Sequence, residues 1–228
     1  MRYDAVVFDL FHTLVALETA GPAGPPLNEQ LGAPKEWNTV WWRLTDGRAR
    51  GRYPTNEGLF ALIAQELGLP AEPERWRAAA TARKARFRRA LTQVEPEVLK
   101  GLQALRALGL PLGLLSDADC DEVSSWPDSP LAPLFDRAFF SCHEGLRKPE
   151  TEFYRRLCRS LGVQPERCLY VGDGFSDEHV GARRVGMTPV LMTCFLKRYY
   201  PERIPRLQSR CDFAVGSVAE LADVIRHA

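Results

Sequence analysis

The sequence predicts an α/β protein, a Rossmann-like, doubly wound parallel sheet interrupted after its first strand by a helical insertion. Three observations predict it. Short apolar runs ending in a polar residue recur along the chain, helical patterns alternate with them from residue 96 onward, and the stretch 16–94 breaks that rhythm with helices alone. Runs of this length without alternation suit strands buried on both faces, as parallel strands are. Strand–helix alternation then implies crossovers within one parallel sheet. A length of 228 residues fits one domain plus an insertion.

Taken in order, Ala5-Val6-Val7-Phe8 before Asp9 is the first strand. The insertion opens on a loop or hinge, Gly21-Pro22-Ala23-Gly24-Pro25-Pro26. Leu59, Leu62, Ile63 and Leu67 mark one amphipathic helix, started by Thr55 or Asn56 and stopped by Gly68. Trp76, Ala80, Phe87 and Leu91 mark another. Pro96 to Leu108 has proline in a first turn, leucines at 99, 102, 105 and 108, and Gly109 as a stop. Leu112-Gly113-Leu114-Leu115 before Ser116 is the second strand, and Ala138-Phe139-Phe140 a weaker third. Thr151 to Leu161 places Phe153, Tyr154, Leu157 and Leu161 on one helical face and ends at Gly162. Cys168-Leu169-Tyr170-Val171 before Gly172-Asp173 is a strand, and Ser176 to Val185 a helix ending at Gly186. Pro189-Val190-Leu191-Met192 and Phe213-Ala214-Val215 complete the sheet. No internal repeat is present. The expected organisation is a core domain of residues 1–15 and 95–228, with a helical cap domain of 16–94.

Composition narrows the function classes. At 45% hydrophobic and 26% charged the chain matches soluble globular proteins and is not a disordered one, and 17 Gly with 17 Pro is too little for collagen. Thirty basic against 29 acidic residues, net +1, argues against a strongly basic nucleic-acid binder. That neutrality divides unevenly. Residues 20–94 carry 12 basic and 7 acidic side chains, leaving −4 on the remainder. The inserted helices therefore carry the positive surplus and the rest of the chain the negative one. No run of 18 apolar residues indicates a membrane span, and the N-terminal apolar stretch is too short for a secretory signal. The six cysteines (120, 142, 158, 168, 194, 211) are scattered without a C-x-x-C. They read as free thiols of a cytoplasmic protein rather than zinc ligands or a disulfide framework, with Cys120 as buried filler.

In an open parallel sheet, ligands bind at the carboxyl ends of the strands near a switch point. Asp9, Ser116 and Asp173 end three of the strands, and Lys148 enters from the loop before the Thr151 helix. A carboxylate, a hydroxyl, a second carboxylate and an ammonium converging at strand ends are hard to explain as solvated loop tips.

These residues carry a specific resemblance. Phe8-Asp9-Leu10-Phe11-His12-Thr13-Leu14 resembles the first motif of the haloacid dehalogenase superfamily, and Leu114-Leu115-Ser116-Asp117 its second. Leu146-Arg147-Lys148-Pro149 is similar to the third, and Val171-Gly172-Asp173-Gly174-Phe175-Ser176-Asp177-Glu178 to the fourth. The resemblance implies that Asp9 is a nucleophile forming an aspartyl intermediate. Asp9, Asp173 and the backbone carbonyl of Phe11 would hold Mg²⁺, with an acid at 177 or 178 orienting its water. Asp177 is preferred because it lies four residues past Asp173. Thr13 and Ser116 would donate to phosphoryl oxygens, Asp117 and Lys148 would line the substrate, and Lys148 would place a compact charge beside Asp9. Arg43, Arg48 and Arg52 of the cap, near Trp41, Trp42 and Tyr53, are the candidates for gripping an anionic substrate.

One residue departs from the pattern. Phosphatases of the superfamily carry Asp two residues after the nucleophile, where it protonates the leaving oxygen; here that position is Phe11. Phe cannot transfer a proton, a step worth about 10²–10⁴-fold. His12 could replace it, with packing in a loop turn as the alternative role, and His143 and His179 read as surface or structural. Three functions remain. A Mg²⁺-dependent phosphohydrolase of a small phosphorylated metabolite leads. A metal-independent 2-haloacid dehalogenase suits Phe11, because halide leaves without a proton, but Asp173 beside Asp9 would repel a carboxylate substrate. A weakly active ligand-binding or partner-binding relative leaves the acid, hydroxyl and lysine set unexplained.

Overall fold

The computed structural model describes residues 2–21 and 24–227; Pro22 and Ala23, inside the expected loop, lie outside the described residues. After β1 (Ala5–Phe8) come helices alone: a 3₁₀ turn Leu17–Ala20, α1 (Leu27–Gln30), α2 (Glu36–Arg43), α3 (Thr45–Ala49), α4 (Asn56–Glu66) and α5 (Pro73–Thr92). α6 (Pro96–Ala107) leads into β2 (Leu112–Ser116), α7 (Cys120–Val123), β3 (Arg137–Phe140) and α8 (Ser141–Glu144). The chain then runs through α9 (Thr151–Leu161), β4 (Cys168–Gly172), α10 (Glu178–Arg184) and β5 (Thr188–Met192). It ends with α11 (Cys194–Tyr199), α12 (Ile204–Gln208), β6 (Phe213–Val215) and α13 (Val218–Arg226).

The six strands form one parallel sheet in the order β3-β2-β1-β4-β5-β6. Strand order runs outward in both directions from the β1–β4 pair, so the switch point lies there. Phe8 is in register with Leu114 of β2 and Val171 of β4, which brings the carboxyl ends of all three strands side by side.

Two-sided burial explains why the strands read as unbroken apolar runs. Val6, Phe8, Leu112, Leu114, Leu169 and Val171 meet Leu102 and Leu105 of α6 and Leu221 and Ile225 of α13 on one face. Ala5, Val7, Leu115, Cys168 and Tyr170 meet Phe153, Tyr154 and Leu157 of α9 on the other. Each large apolar side chain buried this way stabilises the fold by about 1.5–3 kcal/mol. α6 packs tightly on α13 at Gly101, where a Cβ would lie 2.7 Å from that of Val218.

The helices between β1 and β2 share a core of their own, built from Trp37, Val40 and Trp41 of α2, Leu59, Phe60 and Ile63 of α4, and Trp76 and Ala79 of α5. α4 starts as expected, with Thr55 Oγ1 accepting from Gly58 N–H, and Gly68 follows it in the left-handed region. Leu62, counted in its apolar stripe, is exposed instead. α2 and α3 had no sequence counterpart: exposed Trp42 blurs the apolar period of Trp37, Val40 and Trp41.

The unequal charge halves meet at the seam between these helices and the sheet. Arg48 and Arg83 bond Asp119, Arg83 also bonds Glu122, and Lys84 lies 3.8 Å from Asp121. Arg50 reaches Glu150 at 2.5 Å, and Asn56 donates twice to Asp121. Arg48, Arg50, Arg83 and Lys84 of the positive surplus therefore face acidic groups of the sheet side. Among the described residues no helix is long and apolar enough to cross a membrane.

Candidate active site

β1 delivers Asp9 into the crevice by donating the Asp9 backbone N–H to Val171 O of β4, at 2.9 Å. The turn that follows folds back on itself, with His12 N–H donating to Val15 O and His12 at φ +59°. That turn brings Thr13 Oγ1 within 2.9 Å of Asp9 Oδ2, to which it donates. Lys148 Nζ donates to Asp9 Oδ1 at 2.5 Å and to Glu178 Oε2 at 2.6 Å. Asp117 Oδ1 accepts from Lys148 N–H at 2.9 Å, fixing the backbone that carries this ammonium. Ser116 ends β2 fully buried, and its Oγ has no hydrogen-bond partner among the described residues. An orphaned buried hydroxyl is costly unless it serves a ligand.

After β4 the chain makes an unusual turn. Ser176 and Asp177 both adopt left-handed backbone, at φ +57° and +50°. With His12 they are the non-glycine residues of positive φ among those described, and all three lie at or beside the crevice, where such strain tends to collect. The turn corrects the expectation for Asp177. Its carboxylate is turned outward to Arg210, at 2.6 Å, and the helix begins at Glu178, two residues later than the expected start at Ser176. Glu178 points inward instead. It is fully buried and accepts from Lys148, from Tyr170 Oη at 2.7 Å and from Gly174 N–H at 2.7 Å. Gly172 makes room for it, since a Cβ there would fall 2.1 Å from Glu178 Oε1.

Electrostatics follow from burial. Desolvation pushes the Asp9 carboxyl up to about 6, against the opposing charge of Lys148. Burial, then the charges of Glu178 and Asp9, holds Asp173 well above the usual carboxylate range. Burial also opposes ionisation of Glu178, but Lys148 and its hydrogen bonds hold it below its ordinary value. Burial works against the Lys148 ammonium, yet Asp9, Glu178 and Asp117 keep it charged.

Oxygen ligand atoms of Asp9, Asp173 and Glu178 lie within 4.8 Å of one another. Three buried carboxylates share one ammonium, and an all-oxygen donor set with surplus negative charge fits a hard divalent cation. Glu178 already serves three donors, whereas among the described residues Asp173 Oδ1 accepts from Phe175 N–H alone, at 3.0 Å, and Oδ2 lies 3.8 Å from His12 Nδ1. Asp9 and Asp173 are thus the side chains best placed to hold the ion.

A cavity of about 480 Å³ opens above these groups, lined by Asp9, Phe11, His12, Trp42, Asp117, Lys148, Asp173, Phe175, Ser176, Tyr200 and Arg203. The three arginines proposed from the sequence do not line it. Arg43 is exposed and pairs with Glu66; Arg48 is buried against Asp119 and stacked on Trp41; Arg52 is exposed. The long side chains of Arg43 and Arg48 have found nearby carboxylates and an aromatic face instead. Arg203 lines the cavity in their place, its guanidinium over the rings of Phe175 and Tyr200 at 4.8 and 5.0 Å. No spacing signal marked Arg203, Tyr200 or Trp42. His12 stands on the cavity wall with Nε2 held 3.1 Å from Glu18, itself bonded by Tyr200 Oη. The Phe11 ring packs edge-on against Phe87 of α5, centroids 5.4 Å apart. His179 is structural: it is buried, with Nε2 3.1 Å from Val190 O.

A family model for haloacid dehalogenase-like hydrolases matches residues 3–184. The chain is 30% identical over 172 residues to a glyceraldehyde 3-phosphate phosphatase of Methanopyrus kandleri, covering 73% of this chain and 71% of that protein. It is 30% identical over 141 residues to the Methanocaldococcus jannaschii protein of the same name, covering 60% of this chain and 59% of that relative's length. A 2-haloacid dehalogenase structure from Pseudomonas syringae matches with TM-score 0.66 at 23% identity, covering 99% of each chain, a likeness of fold alone.

Proposed function

Because the chain belongs to the haloacid dehalogenase-like hydrolases, we propose that it is a Mg²⁺-dependent phosphohydrolase of a small phosphorylated metabolite, acting through a phospho-Asp9 intermediate. Residues 1–15 and 95–228 would form the core domain and 16–94 the cap, and six free thiols suit a reducing cytoplasm. The observation that carries the reading is the surplus of buried carboxylate around Asp9. With Asp173 and Glu178 beside it and one ammonium between them, the site repels a halo-acid and accepts a cation. The phosphatase names of the sequence relatives point the same way.

Asp9 and Asp173 would hold a divalent ion, which would supply positive charge to offset repulsion between a carboxylate and a phosphate dianion. The chain's own groups do the rest. Lys148 fixes Asp9 Oδ1, leaving Oδ2 to form a bond to phosphorus as the bond to the leaving oxygen breaks, that oxygen taking its proton from water. Ser116 Oγ, orphaned and buried, donates to a phosphoryl oxygen, and Thr13 holds the second Asp9 oxygen in place. Water then cleaves the acyl phosphate, releasing phosphate and restoring Asp9.

A cavity of about 480 Å³ suits a metabolite of a few carbons, and the relatives' names make glyceraldehyde 3-phosphate a first candidate. Arg203 would read the end of the substrate away from the phosphate. Arg203→Ala is expected to raise KM about tenfold with a smaller change in kcat, the scale of one charged hydrogen bond partly screened by water. An unchanged KM removes Arg203 from substrate contact.

A two-arm assay tests the whole reading. Phosphate release from a panel including glyceraldehyde 3-phosphate and an aryl phosphate should vanish in chelator and return with Mg²⁺, with Asp9→Asn as the blank. Halide release from 2-halo acids in chelator, the chemistry that Phe11 favours, should stay at background. Metal-independent halide release without phosphate release overturns the proposal.

A further inference from the structure

Away from the Asp9 crevice, two cysteines and a histidine come together from separate parts of the chain. Cys120 is the first residue of α7, just beyond Ser116 and Asp117, while Cys142 and His143 lie in α8 after β3. Their sulfur and ring-nitrogen atoms all lie within 4.8 Å of one another. The pairing of the two segments is built in, because Ser141 Oγ accepts from Ala118 N–H and donates to Ala118 O. We propose that Cys120, Cys142 and His143 form a three-ligand site for a soft divalent cation, zinc, with a fourth position open to solvent.

The donor set argues for the metal. Two thiolates and an imidazole are ligands that zinc takes tetrahedrally at about 2.3 Å to sulfur and 2.0–2.1 Å to nitrogen, and that Mg²⁺ avoids. Such bond lengths need ligand atoms roughly 3.3–3.8 Å apart, so closing the site takes shifts of about 1 Å or less. Burial graded across the cluster supplies both shelter and entry: Cys142 is buried, Cys120 partly so, and His143 exposed. Asp119 and Glu122, beside Cys120 in the chain, are already held by Arg48 and Arg83 through direct hydrogen bonds, so the ion's charge would be met by the two thiolates themselves. Binding would release the two Sγ protons to solvent, leaving ion and thiolates neutral together.

The place gives the ion a consequence. The backbone at Gly51, just beyond α3, packs on Cys142 so closely that a Cβ there would lie 2.1 Å from Cys142 O. Arg50 donates to Gly145 O at 3.0 Å just after α8. An ion at this point ties the segment behind Ser116 to the segment behind β3, at the seam with the inserted helices. It raises stability without touching the Asp9 cluster, and the inference is independent of the phosphohydrolase reading.

The test is titration of the full, reduced, metal-free chain with Co²⁺, followed by displacement with Zn²⁺. A thiolate-to-cobalt charge-transfer band should grow to one equivalent, persist in excess Mg²⁺, and disappear as Zn²⁺ is added. Carboxylate ligands give no such band, so the Asp9 site is silent. Zn²⁺ should also raise Tm. Cys120→Ser and His143→Ala, at positions not fully buried, should each weaken Co²⁺ binding by about 100-fold or more. Absence of the band in the reduced wild-type chain overturns the proposal. So does a band that survives in Cys120→Ser, or a Cys120–Cys142 disulfide forming under conditions where no metal binds.

Discussion

Phe11→Asp is expected to raise kcat on alkyl phosphates by about 10²-fold while changing turnover of an activated aryl phosphate only a few-fold. An alkoxide leaves poorly unless it is protonated as the bond to phosphorus breaks, and general acid catalysis of that step is worth about 10²–10⁴-fold. An aryl oxide leaves without help. Phe11 lines the same cavity as Asp9, the proposed nucleophile, so a carboxyl group at this position would stand beside it. The gain should sit at the low end of the range, because the substitution also removes the edge-on contact with Phe87 that ties the turn after β1 to α5. That loss should appear separately, as a destabilisation of about 1–2 kcal/mol for a half-buried ring. Plotting log kcat against leaving-group pKa for a series of phosphates separates the two effects. The slope should be steep in the wild type and shallower in the variant. An unchanged, steep slope in a folded variant means that the introduced carboxyl does not reach the leaving oxygen, whereas a slope already shallow in the wild type means that another group supplies the proton. His12, held by Glu18 on the same wall, is then the residue to replace.

The sheet was legible because its strands are buried on both faces and therefore announce themselves as unbroken apolar runs ending in Asp9, Ser116 and Asp173. Lys148 was legible because a motif placed it. The misses have a common physical form: each was decided by a backbone turn or a local partner that spacing does not encode. Asp177 and Glu178 are neighbours of the same charge, and two left-handed residues decide which of them faces Lys148. Arg43 and Arg48 had the charge to bind a substrate, but Glu66 and Asp119 lie within reach. Arg203 entered the cavity from a segment after α11 that carries no motif and lies beyond the matched residues 3–184. His143, read as surface or structural, is exposed, yet the fold sets it and its neighbour Cys142 beside Cys120 from a different segment.

Lys148→Met is expected to lower the unfolding free energy by about 3–5 kcal/mol, read from the denaturant midpoint at unchanged m-value. The ammonium is buried and hydrogen-bonded to Asp9 and Glu178 at once. Removing it strands two carboxylates in a low-dielectric interior, and breaking a buried pair in this way carries a cost of about that size. The pH dependence gives the sign. In the wild type Glu178 is held below its ordinary value, so its contribution is present above that value and fades as pH falls through the depressed one. Asp9, pushed up to about 6, acts oppositely: its folded form loses stability as pH rises from the ordinary carboxylate range through about 6. Without Lys148 both carboxyls move upward. The gap between wild type and variant should therefore be widest near neutrality and narrow in acid, where both groups are protonated. Lys148→Arg should not restore stability, because a planar fork cannot take the place of a compact ammonium clamped between two oxygens at 2.5 and 2.6 Å. Glu178→Gln in the Lys148→Met background should recover part of the loss, with a coupling of about 0.5–3 kcal/mol. Simple additivity of the two substitutions would show that Glu178 is held by Tyr170 and Gly174 alone, and that the ammonium serves Asp9.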